Sequence, residues 1–174
     1  MGNKYLLGVD SGTTGVKAKI YDLDGKVMAQ GYREYPCIYP KPGWVEQDVH
    51  MLTDALFNAL ADVVAKGKAA GVDPEEIASV GLSTQRCTHM YLDKDNNVLR
   101  NGMAISWQDC RTEEEQAWLR TYGNKYTEIT GLPIGPAWAS SHVKYVKDKE
   151  PEVFEKTRKI ISSQEYFLHQ LGAD

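Results

Sequence analysis

Between two strand-like runs the chain reads Asp10-Ser11-Gly12-Thr13-Thr14-Gly15-Val16-Lys17, a set of residue types fitted to phosphate. Glycines at 12 and 15 would let backbone amides approach a ligand closely. The Thr13 and Thr14 hydroxyls add donors, and Lys17 adds a point charge for phosphate oxygens. Asp10 is a hard oxygen donor at the end of the first run and suits Mg²⁺, held directly or through water. A bare Gly-Thr-Thr-Gly could equally do no more than close a hairpin. The acid before it and the cation after it tip the reading toward phosphate. The segment is not a P-loop, because no Gly-Lys-Ser/Thr ending follows, and not a dinucleotide fingerprint, because no Gly-x-Gly-x-x-Gly opens a helix.

A second group of candidates comes later: Gln85 and Arg86, then Trp107. Arg86 can donate several hydrogen bonds to hydroxyls in a fixed fork, Gln85 can donate and accept, and Trp107 can lie along a carbon backbone. The plainer alternatives are a solvated charge for Arg86 and a core ring for Trp107. Asp109 with Arg111 reads as a structural ion pair at least as readily as a ligand contact.

The elements that must position these residues are legible from periodicity. Residues 5–9 are an apolar strand, and 16–21 alternate with the two-residue period of a half-buried one. Asp24-Gly25 is a hairpin turn, so 26–34 return as a third strand. A Pro/Gly loop at 39–44 leads to Asp48 as a helix cap. Leu52, Ala55, Leu56, Ala59, Leu60, Val63 and Val64 then form one apolar helix face. Gly67 and Gly71 close that helix, and Asp73-Pro74 starts a short turn. Residues 77–84 read as a buried strand and 89–92 as another, with a turn at 93–97. Helices are predicted over 112–122, 124–130, 141–149 and 163–171, with a strand at 159–162. Three antiparallel strands, a helix, then a strand pairing parallel through a right-handed crossover is an α/β pattern. It matches the ribonuclease H-like, actin-like ATPase half-fold.

Composition narrows the partners. The chain has 174 residues, 42% of them apolar, enough for one core and so one domain by default. Its 20 basic and 24 acidic residues leave a net charge of -4 without a basic stripe, which argues against nucleic acid and anionic membranes. Cys37, Cys87 and Cys110 form no Cys-x-x-Cys pair and read as free thiols in a reducing compartment. The four histidines lack metal-ligand spacing. No signal-peptide core or membrane-length apolar run is visible, and Leu6 spoils a myristoylation signal at Gly2, so a cytoplasmic location is expected.

The opening loop, the run 39–48 (Tyr39-Pro40-Lys41-Pro42-Gly43-Trp44-Val45-Glu46-Gln47-Asp48), Ser83-Thr84-Gln85-Arg86, and Ile105-Ser106-Trp107-Gln108-Asp109-Cys110-Arg111-Thr112 together resemble the FGGY carbohydrate kinases, which include glycerol kinase and xylulokinase. These motifs occur in order along nearly the whole chain. The resemblance implies an N-terminal domain of an ATP-dependent sugar or polyol kinase. It implies that Asp10 helps hold Mg²⁺, that the 10–17 loop holds ATP phosphates, and that Gln85, Arg86 and Trp107 contact the sugar. It further implies that the catalytic aspartate and the domain holding adenosine lie beyond Asp174, so that no catalytic base is expected here and the chain alone is expected to be inactive. Cys87 stands where glycerol kinases carry glutamate, and Gly135-Pro136-Ala137-Trp138 replaces their Asp-Pro-Tyr-Phe. Xylulokinases carry Met-His where this chain has Arg86-Cys87. A polyol or a ketose is therefore implied, with neither singled out. A non-catalytic actin-like module that senses a sugar or nucleotide is the alternative. An incomplete domain would also expose apolar surface, leaving room for a homo-oligomer.

Overall fold

The structure, a computed structural model, describes residues 4–173; Gly2 and Asp174 lie outside them. The chain divides into two compact units, one built from residues 4–36, 50–85 and 167–173 and the other from 37–49 and 86–166.

The first unit is organised by β1 (Tyr5–Ser11), β2 (Gly15–Asp22), β3 (Val27–Glu34), α1 (Val49–Ala69) and β5 (Ile77–Thr84), with β4 (Glu46–Asp48) belonging to the other unit. The sheet order is β3-β2-β1-β5, with β1 antiparallel to β2 and parallel to β5. Alternation along β2 sends Val16, Ala18 and Ile20 into the core and Lys17, Lys19 and Tyr21 to the opposite face. The buried set meets Leu52, Ala55, Leu56, Ala59 and Val63 of α1, the face that the helical spacing marks out. The expected Asp24-Gly25 turn is present, with Gly25 at φ +83°.

Close contact between β3 and α1 depends on Gly31. A Cβ there would stand 2.4 Å from the Ala59 carbonyl oxygen and 3.0 Å from the Val63 amide nitrogen, both backbone atoms of the helix. Gly31→Ala should therefore destabilise the chain by about 2 kcal/mol or more through overpacking. A thermal scan would read this as a midpoint several degrees lower; an unchanged midpoint would mean that the helix does not sit this close.

Two sequence expectations for this unit need correction. Gly67 does not end α1, which runs on to Ala69 before Gly71 turns out at φ +85°. Gly67 is there for space, since a Cβ would stand 2.9 Å from Ile20 Cδ1. Residues 77–84 do form a strand, but not a buried one. Among the described residues its one strand neighbour is β1, and Val80 remains 53% exposed.

The second unit holds a sheet ordered β4-β7-β6-β8, with β6 (His89–Leu92), β7 (Met103–Ile105) and β8 (Lys159–Ser162). Helices α2 (Glu113–Arg120), α3 (Lys125–Thr130), α4 (Ala139–Lys149) and α5 (Pro151–Lys156) lie between β7 and β8 in sequence, and α6 (Ser163–Gln170) starts in this unit and ends in the first. Tyr91, Ile105 and Val146 form its core, with Leu99, Tyr145, Val153 and Phe154 against them. Asp48, expected as a helix cap, is the last residue of β4 directly before α1. The helix expected over 141–149 does stop at Lys149, and Pro151 opens the next one, α5, at a position where its missing N–H costs nothing. Among the described residues no helix is long and apolar enough to cross a membrane.

Candidate functional site

In the first unit, Asp10 and Lys17 are direct register partners across β1 and β2. Both line a cleft of about 540 Å³ on the sheet face away from α1, together with Gly8, Lys19, Gly81 and Ser83. Asp10 is exposed, and its carboxylate makes neither a hydrogen bond nor an ion pair among the described residues. A Cβ on Gly81 would meet nothing within 4 Å, so the strand beside Asp10 leaves open space. A bare carboxylate facing cations over an open floor fits a hard divalent cation together with phosphate oxygens. Lys19 and Ser83 were not singled out from the sequence. Lys19 lies two residues beyond Lys17 and so faces the same way, and Ser83 becomes a neighbour once β5 pairs beside Asp10.

The loop between the strands is held by its own backbone. Gly12 N donates to Gly15 O at 3.0 Å, and Tyr35 N donates to Thr14 O at 3.1 Å. The buried Tyr35 hydroxyl donates to the Gly12 carbonyl and lies 3.2 Å from Ser11 Oγ. Thr13 is half-buried and Thr14 exposed at the tip. Neither Gly12 nor Gly15 takes a positive φ. Gly15 is required for packing instead, because a Cβ would stand 2.5 Å from the Arg33 carbonyl oxygen. Gln85 belongs to this unit as well, its amide donating to Ser11 O at 2.7 Å and tying the end of β5 to the end of β1.

Arg86 and Trp107 belong to the second unit. Arg86 is exposed, and Trp107 is 41% exposed, which removes the reading of its ring as core. Between Arg86 and the buried Thr88, Cys87 takes φ +60°, a left-handed conformation that non-glycine residues rarely adopt. Thr88 Oγ1 then accepts from the Trp107 amide at 3.4 Å, joining the two candidate segments. Burial pushes the Cys87 thiol up, with Arg86 only partly opposing, so Cys87 stays a neutral thiol at physiological pH.

Asp109 and Arg111 are a structural pair, both side chains fully enclosed. Burial alone would raise the Asp109 carboxyl, but the His142 ring, the Arg111 guanidinium and the amides of Arg111 and Val45 outweigh it and hold it well below the usual carboxylate range. His142 Nε2 lies 3.5 Å from Asp109 Oδ1, without hydrogen-bond geometry. The buried His89 and His142 rings lie 5.1 Å apart between centroids, tilted by 37°, while Cys37, Cys87 and Cys110 are free thiols. Among the described residues no three His, Cys, Asp or Glu side chains gather as a metal site.

A parallel β1–β5 pair flanked by antiparallel β2 and β3, joined through α1, with an aspartate and lysines in a cleft at its face, places the chain in the ribonuclease H-like, actin-like α/β class. It belongs to the FGGY family of carbohydrate kinases, whose N-terminal domain model matches residues 5–173. Glycerol kinase from Thermococcus gammatolerans is 36% identical over 157 residues, covering 90% of this chain and 31% of that protein. Glycerol kinase 1 from Saccharolobus solfataricus is 33% identical over 161 residues, covering 91% and 31%. Among solved structures, ligand-bound xylulose kinase from Lactobacillus acidophilus superposes with a TM-score of 0.87 at 29% identity, covering 96% of this chain and 33% of that one. The chain thus spans about a third of the length of these relatives.

Proposed function

We propose that this chain is the phosphate-holding and sugar-holding portion of an ATP-dependent kinase that phosphorylates a hydroxyl of a polyol or ketose. The observation that carries the reading is the pairing of Asp10 with Lys17 on adjacent strands over one open cleft. MgATP, when bound, supplies the phosphoryl group and a neutralised leaving group. Asp10 would hold the metal, directly or through water, and Thr13, Thr14 and Lys17 would hold phosphate oxygens. Their part is orientation and charge neutralisation, which carry most of the catalysis in phosphoryl transfer. Gln85 and Arg86 would bind sugar hydroxyls, and the exposed face of Trp107 would lie along the carbon chain.

The proton of the attacking hydroxyl needs a positioned acceptor. We infer that this acceptor is not among the 174 residues, so that they alone should release no ADP when given sugar and MgATP. The test is coupled ADP release by the complete gene product over a panel of polyols and ketoses including glycerol and D-xylulose. Turnover of one of them is the expected result. Binding of a sugar without ADP release would instead identify a sensor.

A further inference from the structure

Five charged side chains in the second unit form one continuous run: Glu150, Arg100, Glu46, Arg111 and Asp109. Arg100 grips Glu150 through Nε at 2.7 Å and Nη2 at 3.1 Å, and its Nη2 also donates to Glu46 Oε1 at 2.8 Å. Arg111 Nη2 donates to that same Glu46 oxygen at 2.8 Å. Its Nε and Nη2 close a two-pronged pair on Asp109 at 2.9 and 2.7 Å. Stability is a poor reason for such a run, because well-packed apolar residues commonly replace buried ion pairs without loss. What it does supply is a single geometry.

That geometry belongs to the backbone carrying Trp107. The Asp109 amide donates to Ser106 O at 3.0 Å, closing a turn in which Trp107 is the second residue. The Asp109 carboxylate accepts from Val45 N at 2.6 Å. Ser106 N donates to Val45 O at 3.0 Å and Cys110 N to Gly43 O at 2.8 Å, so the turn is riveted to residues 43–45. Between those two anchors, the Trp44 ring stacks on the Arg111 guanidinium carbon at 3.9 Å. Arg111 is itself fully enclosed and has no surface to offer a ligand.

We propose that Arg111 is a positioning residue for sugar binding: acting through Asp109 and Trp44, it fixes the 106–109 turn and thereby the placement of Trp107, without touching the substrate. The inference rests on the reading of Arg86 and Trp107 as sugar contacts. Arg111→Lys keeps the charge but cannot span the fork or stack as a plane. In the complete gene product it should raise KM for the phosphorylated sugar at least about tenfold, because small misplacements of substrate-orienting groups are costly. KM for ATP should stay within about twofold. A merely structural role would do something else, lowering the folded fraction and hence apparent kcat with both KM values unchanged; that pattern overturns the proposal.

Hydrogen exchange on the 174-residue chain gives a readout that does not need turnover. Arg111→Lys should speed exchange in peptides covering 43–47 and 105–111 and leave 13–22 as in the parent chain. Should that variant fail to fold, Trp44→Leu removes the stacking partner while sparing the ion pairs, and it is expected to give the same KM split and exchange pattern. Unchanged exchange in 105–111 for a folded variant sinks the proposal. Absence of sugar turnover by the parent protein would instead sink the kinase reading, with exchange still deciding the role of Arg111.

Discussion

Asp10→Asn in the complete gene product should lower ATP-dependent sugar phosphorylation by about three orders of magnitude while leaving the fold intact. The carboxylate is exposed and forms no hydrogen bond or ion pair among the described residues, so its neutral isostere removes nothing that holds β1 in place. Substitutions at such positions fall within about 0.5 kcal/mol of neutral. The same carboxylate faces Lys17 across the strand pair and lines the 540 Å³ cleft with Lys19 and Ser83. Removing one preorganised electrostatic group from an active site costs about 10²–10³ in kcat, and a carboxylate that also holds the metal would add to that. Coupled ADP release measured beside a thermal melt separates the two halves. Full activity at an unchanged melting midpoint would remove Asp10 from the metal-holding role.

What could be read from the sequence follows the range over which each cause acts. The β1–β2–β3 hairpins and α1 were legible because alternation, an Asp-Gly turn and a three-four apolar stripe are local signals. The parallel partner of β1 was also foreseen, since the helix between them allows little else. The exposure of β5 was not, because its apolar run looks the same whether one neighbour or two flank it. Lys19 was missed for a related reason: it joins Asp10 only when β2 is placed beside β1, and nothing in its flanking residues marks it. Glu46 was hidden more deeply. It lies 54 residues before Arg100 and 65 before Arg111, and the run linking them emerges only when β4 pairs with β7. Cys87 shows the limit from the other side, since no side chain announces a left-handed backbone at a cysteine.

Acid should weaken the second unit in a window set by His89. Burial lowers its pKa from 6.5 to about 3, His142 and Arg100 push the same way, and the Cys87 carbonyl and Asp109 oppose them. The unfolded chain therefore takes up a proton near pH 6.5 that the folded chain refuses until about pH 3. Stability is complete above the unfolded value and falls as pH drops through this interval. The gap corresponds to on the order of 5 kcal/mol in total, about 3 kcal/mol of it already lost by pH 4. Asp109, held below the usual carboxylate range, adds a loss of the same sign only at still lower pH. Denaturant melts of the chain at pH 7, 5.5 and 4 should show this slope. In His89→Asn the amide can still donate to the Cys87 carbonyl, which His89 Nδ1 approaches at 3.3 Å, but nothing titrates. The variant should start less stable because a buried ring is lost, yet lose much less between pH 7 and pH 4 than the parent. Parallel pH slopes for the two proteins would mean that His89 is not the group that refuses the proton.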